Sequence, residues 1–309
     1  MYFLMTNDVE EHSIALNKLD EGTAWRVYRE GLPALLDLYA RYDVEGTFYF
    51  TGTFAEMIPD SIDLVKDHGH EIGCHGYLHE VDRAFDVLSY EEQVRDLTLA
   101  KKAIETQAGT IEAFRAPAAR INQHTVRALE VTGYLTDSSV SPQRFDGPLS
   151  FGGWNKINWL FAHRLPYHLN HDNPFQPGNS TILEIPISAL LFAYIGTTMR
   201  VAPNLNRLLG KLLFRESRKR SMKPIVFLFH PVEVIEVKEK IETTRRVKSR
   251  LGYLFGDVIR QQLKLNNLGK NALKLSEEVL KEAKARDFEF VSAHRFRKIF
   301  EKHDSEVGR

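Results

Sequence analysis

Short apolar runs rich in β-branched and aromatic residues alternate with longer amphipathic segments, and this alternation is the feature that most constrains the fold. It predicts β/α units, in which helices cover a mainly parallel sheet or barrel. The predicted strands are 2–6, 46–50, 70–73, 113–115, 135–137, 182–187, 225–230 and 288–292. The predicted helices are 25–42, 54–67, 90–107, 123–132, 205–218 and 272–286. Ser89 and Glu92 have the spacing of a capping box at the start of the third helix.

Two stretches interrupt the alternation. Residues 141–180 are rich in Pro, Gly, Asn, His and aromatic residues without periodicity, so we predict a long loop insertion there rather than core elements. Residues 236–267 are charged and helical in character, which is typical of a solvated outer helix. A chain of 309 residues is long enough for one large domain, and we expect a single domain with a motif-bearing core at 1–231 and a helical C-terminal part at 232–309.

Composition and charge exclude several classes of protein. The chain has 41 basic and 41 acidic residues, so no global positive field is available for nucleic acid, and we expect none to bind. Cys74 is the single cysteine, which excludes an intrachain disulfide and a thiolate zinc cage. The first residues lack a signal-peptide pattern, and the uncharged stretch at 185–199 is shorter than the roughly 18 to 20 residues of a membrane span. We therefore expect a cytoplasmic protein.

Polar residues follow two of the predicted strands. Asp8 and Glu10 come after the first, and His75 and His79 come after the third. The carboxyl ends of neighbouring parallel strands meet at one rim, so these side chains can converge. Two histidines four residues apart and one carboxylate can hold a catalytic divalent metal with positions open for water and substrate. Taken alone, a histidine pair of this spacing is more often a solvated surface pair.

Two further strand ends carry charge. Arg115 ends the strand at 113–115, where a buried guanidinium needs a carboxylate, and Asp8 is the expected partner. His230 ends the apolar strand at 225–230, and an imidazole there suits general acid or base chemistry because its pKa lies near neutrality. The alternative is a strand-capping histidine whose ring is fully hydrogen-bonded.

Four motifs occur in one order along the chain. They are Thr6-Asn7-Asp8-Val9-Glu10, His75 to His79, Phe114-Arg115-Ala116-Pro117 and Phe227-Leu228-Phe229-His230-Pro231, with further matches at 46–50, 70–75 and 133–139. Together they resemble the polysaccharide deacetylase family, carbohydrate esterase family 4, also called the chitooligosaccharide deacetylase homology domain. The resemblance covers about residues 1–231 and implies an α/β fold, a distorted (β/α)7-type barrel with a metal at its mouth.

The resemblance implies a metal-dependent hydrolase that removes an N-acyl group, expected to be N-acetyl, from an amino sugar in a glycan or lipid-linked saccharide. It implies Zn²⁺ as the divalent metal. The usual first motif has two adjacent aspartates, a base followed by a ligand, but Val9 occupies the second place here. By analogy with Asp-x-Glu members, Asp8 is the base and Glu10 joins His75 and His79 as a ligand. The opposite assignment, with Asp8 as the ligand, stays open.

The resemblance also implies the remaining roles. Asp8 would take a proton from the attacking water, Arg115 would keep Asp8 ionised, and His230 would protonate the leaving amine. The family's aspartate that orients the catalytic histidine has no clear counterpart, and Asp137 and Glu184 are the candidates.

Alternatives remain for function and for a membrane. An amidohydrolase acting on a small non-sugar amide fits the same barrel, whereas a non-catalytic carbohydrate-binding descendant is disfavoured because all the expected catalytic side chains are retained. Residues 189–220 combine an apolar run with a basic, leucine-rich helix, which predicts peripheral membrane contact. A helix that packs on the core and exposes a solvated basic face is the more common cause of such a pattern. The sequence leaves the oligomeric state open.

Overall fold

The computed structural model describes residues 1–80, 83–143, 159–237 and 260–307. Its strands are β1 (Tyr2–Val9), β2 (His12–Ser13), β3 (Lys18–Leu19), β4 (Gly46–Phe50), β5 (Glu71–Cys74), β6 (Ala113–Phe114), β7 (Thr136–Asp137), β8 (Tyr167–His168), β9 (Leu183–Glu184), β10 (Ala189–Leu190), β11 (Phe192–Ala193), β12 (Ile225–Phe229) and β13 (Glu289–Phe290). Its α-helices are α1 (Glu21–Arg26), α2 (Leu32–Arg41), α3 (Gly52–Met57), α4 (Asp60–Asp67), α5 (Tyr90–Ala108), α6 (Thr125–Val131), α7 (Gly196–Val201), α8 (Pro203–Lys219), α9 (Arg260–Leu265), α10 (Lys270–Lys284) and α11 (Ala293–Val307).

A curled parallel sheet organises the molecule. Its strand order is β12-β1-β4-β5-β6-β7-β9, with β8 added antiparallel at the β9 edge and β13 paired with the start of β1. The sheet curls until the chain after β9 reaches β12. There the Ser188 N–H donates to the Val226 carbonyl over 3.0 Å. The Val226 N–H donates in return to Ser188 Oγ over 3.0 Å. The expected distorted (β/α)7-type barrel is confirmed.

The predicted strands and helices are present, with shifted ends. β1 runs three residues further than predicted and carries Asp8 within its ladder, because Asp8 pairs with Tyr49 of β4. The helix predicted at 54–67 is two helices, α3 and α4, because Pro59 interrupts the hydrogen-bond pattern between them. The capping box of Ser89 and Glu92 is formed at the start of α5.

The prediction that 141–180 is only a loop is wrong for its described part. β8 adds an edge strand to the main sheet, and Trp159 and Leu169 are fully buried in the core. A two-residue strand is too short to show alternation, and isolated core residues show no period, which is why the sequence pattern misses both. Residues 144–158 of this stretch, and 238–259 of the charged stretch at 236–267, lie outside the described residues.

The C-terminal helix packs against the end of the barrel opposite to Asp8. The Ala293 N–H donates to Thr47 Oγ1 over 2.9 Å. The His294 N–H donates to Glu71 Oε2 over 3.1 Å, so α11 begins on the first residues of β4 and β5. Within the described ranges, no helix combines the length and apolar character needed to cross a bilayer.

Ser188→Ala is expected to destabilise the protein by about 1–3 kcal/mol, because it leaves the buried Val226 N–H without its acceptor where the barrel closes. Urea unfolding followed by circular dichroism measures the change. Ser305→Ala is the matched control, since the Ser305 hydroxyl is exposed on α11, and its effect should stay within about 0.5 kcal/mol. Equal losses in the two variants would contradict the role of Ser188 in closure.

Candidate active site

Asp8 and Arg115 form a buried ion pair at the carboxyl ends of β1 and β6. Arg115 Nη1 donates to Asp8 Oδ1 over 2.9 Å, as the sequence analysis expects. The other donors of the guanidinium bind Ser138, with Nε reaching its carbonyl and Nη2 its hydroxyl, each over 2.8 Å. The guanidinium also stacks on Tyr49, with Cζ 4.5 Å from the ring centroid. Arg115 is therefore held on several sides and fixes one oxygen of Asp8.

Asp8 is an ionised carboxylate in this setting. Burial alone would raise its pKa, but the interaction with His75 and the positive charges of Arg115 and His230 outweigh burial and lower the pKa below its ordinary value. Its second oxygen, Oδ2, lies 3.7 Å from His75 Nε2 and 3.8 Å from His230 Nε2. Asp8 thus presents a negatively charged oxygen to both imidazoles.

Glu10, His75 and His79 lie together beside Asp8. Each offers one ligand atom, and these atoms are within 4.8 Å of one another. Glu10 Oε2 is 3.1 Å from His79 Nδ1 and 3.8 Å from His75 Nε2. His75 Nδ1 donates to the Arg115 carbonyl over 2.8 Å, and a carbonyl only accepts, so Nδ1 carries the proton. The Nε2 lone pair of His75 therefore faces the cluster, which is the tautomer a metal requires.

The donor set fits a divalent cation. Glu10 Oε2 and His79 Nδ1 are buried and have no hydrogen-bond partner among the described residues, although they face each other. Burial lowers the pKa of both histidines, that of His79 to about 4, so both rings are neutral and keep a lone pair. Burial also raises the pKa of Glu10, with the charges of Asp8 and Glu11 adding to the effect, and the interactions with His230 and His75 only partly offset it. A cation among these three atoms would offset the remaining cost of a buried negative charge on Glu10.

Surrounding contacts hold the two ligand-bearing segments. The His75–His79 loop turns at Gly76, whose φ of +72° is unfavourable for other residues. The Tyr77 N–H in this loop donates to Asp96 Oδ1 of α5 over 2.8 Å. Next to Glu10, the buried carboxylate of Glu11 accepts hydrogen bonds from Thr51 Oγ1, over 2.8 Å, and from Thr53 Oγ1. The loop that carries His75 and His79 and the backbone beside Glu10 are therefore held by contacts outside the cluster.

His230 follows β12 and is oriented by a residue that the sequence analysis missed. Its Nδ1 lies 3.0 Å from Glu233 Oε1, within the 3₁₀ turn Pro231–Val234. The other oxygen of Glu233 accepts from Nε of Arg200, a buried residue of α7. The Arg200 Nη1 group also donates to the carbonyls of Lys264, over 2.6 Å, and Asn266, over 2.9 Å. Glu233 thus links His230 to a fixed arginine.

The expectation that Asp137 or Glu184 orients His230 is wrong. These two carboxyl groups lie opposite each other on β7 and β9 and are hydrogen-bonded to each other. Burial raises the pKa of both, that of Asp137 to about 6. Glu184 Oε1 also accepts from the Val140 N–H over 3.0 Å. Both carboxyl groups therefore make their hydrogen bonds within the barrel wall.

His230 is an imidazolium at neutral pH. Burial would lower its pKa, but the hydrogen bond to Glu233 and the charges of Asp8, Glu233 and Glu10 raise it to about 9. Since Nδ1 is held by Glu233, the proton on Nε2 is the one directed toward Asp8. A glutamate three residues after a strand-ending histidine is a local signal that could have identified Glu233. Arg200 offers no comparable signal, because it lies on a separate helix.

Part of the chain is similar in sequence to known deacetylases. Residues 6–136 match the family model described as Polysaccharide deacetylase. A peptidoglycan deacetylase from Helicobacter pylori is 33% identical over 75 residues, which cover 22% of this chain and 26% of the relative. A peptidoglycan-N-acetylglucosamine deacetylase from Bacillus cereus is 30% identical over 105 residues, covering 34% of this chain and 47% of the relative. The alignments span between about a quarter and about half of the curated relatives' length.

Structural similarity extends further along the chain. A crystal structure from Mycobacterium smegmatis, assigned to the polysaccharide deacetylases, aligns with 98% of this chain and 91% of its own. The TM-score is 0.62 at 20% sequence identity. At that identity the similarity establishes a shared fold.

Glu233→Gln is expected to lower the pKa of His230 in the metal-free protein, from about 9 by at least one unit, because a neutral amide replaces the carboxylate beside Nδ1. NMR titration of the imidazole shifts measures the change. The control is Glu236→Gln, which removes the same charge from an exposed side chain three residues further on. A pKa of His230 that is unchanged in Glu233→Gln would contradict the assignment.

Proposed function

We propose that the chain hydrolyses the N-acetyl amide of an amino sugar in a glycan or lipid-linked saccharide, since residues 6–136 match the family model described as Polysaccharide deacetylase. One observation carries the proposal: a Glu-His-His cluster, with Glu10 and His75 buried and His79 partly buried, lies beside both an ionised carboxylate and a protonated imidazole. Amide hydrolysis needs a base for the attacking water and an acid for the leaving amine, and the two flanking groups have those protonation states.

Glu10, His75 and His79 would hold the divalent metal, for which we propose Zn²⁺. A bound cation of this kind lowers the pKa of water and polarises a carbonyl group. Glu10 is the proposed carboxylate ligand because its Oε2 has no hydrogen-bond partner among the described residues. Asp8 is the weaker candidate for this role, since Arg115 already occupies its Oδ1.

Asp8 is the proposed general base. Arg115 holds Oδ1 and keeps the group ionised, which leaves Oδ2 to accept a proton from the attacking water. The low pKa of Asp8 makes it a weak base toward free water, so it depends on the acidification that the cation supplies. Arg115 acts through Asp8 and is a positioning residue.

His230 is the proposed general acid. Glu233 holds Nδ1 and stabilises the imidazolium, so Nε2 can give its proton to the leaving nitrogen as the C–N bond breaks. After one turnover Asp8 holds a proton and His230 has lost one. Their facing atoms, Oδ2 and Nε2, are 3.8 Å apart, so a small displacement or one water returns the proton and restores both groups.

Acetate release is the direct test of the proposed activity. Purified protein loaded with Zn²⁺ is offered a panel of N-acetyl amino sugars, free and lipid-linked, together with small non-sugar amides. Release from a sugar substrate supports the proposal. Turnover of non-sugar amides alone would instead indicate the second class of amidohydrolase, and no turnover of any substrate by metal-loaded protein would contradict an enzymatic role.

Metal content separates the ligands from the base. His75→Ala and His79→Ala are each expected to lose most bound Zn²⁺, measured by elemental analysis after dialysis, because each removes one of three ligands. Asp8→Asn should keep the metal and lose turnover. His68→Ala, at an exposed histidine of the chain after α4, is the control and should retain both. Asp8→Asn that loses the metal as fully as His75→Ala would make Asp8 a ligand.

The leaving group tests the acid. His230→Ala should lower amide turnover by roughly 10²- to 10⁴-fold, because an amine cannot leave near neutral pH without a proton. The same variant should lose much less activity on an activated acetate ester, whose leaving group needs no proton. Steady-state rates on the two substrates provide the comparison, with metal content confirmed for each preparation. Equal losses on amide and ester would refute the role of His230.

A further inference from the structure

Large apolar side chains are exposed on the β10–β11 hairpin, on α8 and on the segment that carries Phe161. Phe161 is 77% exposed and Leu191 is 66% exposed. Phe192, Leu208 and Leu212 are each about half exposed. We call these five residues the apolar patch. Leu191 forms the tip of the β10–β11 hairpin, whereas Leu208 and Leu212 lie on α8.

Hydrogen bonds join the hairpin to the segment that carries Phe161. The Leu191 N–H donates to the Gln143 carbonyl over 3.1 Å, and the Gln143 N–H donates to the Trp159 carbonyl over 2.7 Å. Phe161 follows Trp159 by two residues. The hairpin tip is therefore linked through Gln143 to the segment that carries Phe161.

Arg164 joins the same hairpin to α8. Its Nη1 donates to the Ala189 carbonyl of β10 over 2.8 Å, and its Nε donates to Glu216 Oε1 of α8 over 3.2 Å. Leu212 and Leu208 lie one and two turns before Glu216 on that side of the helix, next to the hairpin. The core-facing side of α8 is formed by other residues, including Leu209 and Leu213. The exposed leucines are thus additional to the stripe that packs on the barrel.

Positive charge lies beside the apolar patch. Lys211 and Arg215 are exposed and lie on the solvent side of Leu208 and Leu212. The α8 segment has five basic residues and one acidic residue, Glu216. Glu216 is itself bound by Arg164 and by Lys223 Nζ, at 2.9 Å. Because the whole chain has a net charge of zero, this basic surface is a local concentration.

The backbone at Leu191 adds an independent observation. Leu191 has a φ of +58°, in the left-handed region that favours glycine or asparagine. A leucine with this φ costs conformational free energy. Because its side chain is mostly exposed, burial of its apolar surface within this molecule offsets little of that cost. Burial against a second apolar phase would offset that cost.

We propose that the apolar patch and the adjoining basic residues of α8 dock the protein on an anionic lipid membrane surface. Apolar side chains enter the boundary between headgroups and acyl chains, while Lys211 and Arg215 meet lipid phosphates. A second copy of the chain fits less well, because a symmetric contact would bring two basic faces together. A membrane surface accepts apolar and cationic groups side by side.

Vesicle flotation tests this docking and needs no substrate, so it is independent of the proposed enzymatic activity. The vesicles are phosphatidylcholine alone, or phosphatidylcholine with about 30 mol% phosphatidylglycerol, at low and high salt. One variant, Lys211→Gln/Arg215→Gln, removes charge, and another, Leu191→Asn/Leu212→Gln, removes apolar surface. Asparagine is chosen at 191 because it tolerates a positive φ. The control is Leu99→Gln/Lys102→Gln on the exposed face of α5.

The wild-type protein should float with anionic vesicles, less so at high salt. Each patch variant should bind them at least about tenfold more weakly, because each basic residue and each buried apolar side chain contributes to membrane affinity. The α5 control should bind like wild type. Absence of flotation, equal binding to neutral vesicles, or an equal loss in the control would overturn the proposal. So would a dimer, seen by light scattering, that the patch variants dissociate.

Discussion

The ion pair between Arg115 and Asp8 is the interaction on which the arrangement of the site depends. It fixes one oxygen of Asp8 at the end of β1, and the other oxygen then lies between His75 and His230. Through its carbonyl, Arg115 also sets the tautomer of His75. A second arginine repeats the arrangement on the far side, where Arg200 fixes Glu233 and Glu233 fixes His230. These contacts form a row in the order Arg115, Asp8, His230, Glu233 and Arg200. Positive and negative charges alternate along the row, so each ion has a neighbour of opposite sign.

Much of the site could be predicted from the sequence because of one property of parallel sheets. Asp8, His75, Arg115 and His230 each end a short apolar run, and the carboxyl ends of adjacent strands come together whatever the details of the helices. Hydrophobic runs bounded by polar residues indicate where those strands lie. The convergence of the four side chains then follows from the parallel arrangement of the strands. The choice of Asp8 as the partner of Arg115 needed only the cost of leaving a buried guanidinium unpaired.

The other parts of the site depend on contacts that produce no periodic pattern in the sequence. Arg200 reaches Glu233 from a helix whose position relative to β12 is set by packing, and no spacing in the sequence encodes that distance. Asp137 and Glu184 have the residue type and strand-end position of an orienting group, yet the strand register pairs them with each other. Strand register is a tertiary property, and sequence reasoning could not separate a carboxylate that serves catalysis from one that serves the barrel wall.

The local pairing of His230 with Glu233 has a consequence for the order in which the site can assemble. Their contact spans three residues and can form as soon as the turn after β12 is made, whereas the Asp8–Arg115 contact spans 107 residues. Closing so long a loop carries a larger entropic cost and depends on the docking of β1, β4, β5 and β6. The His230–Glu233 contact can therefore form early in folding, while Asp8 is positioned only when half of the barrel is in place. The complete site would then form at a late step of folding, when segments distant in the sequence are already packed together.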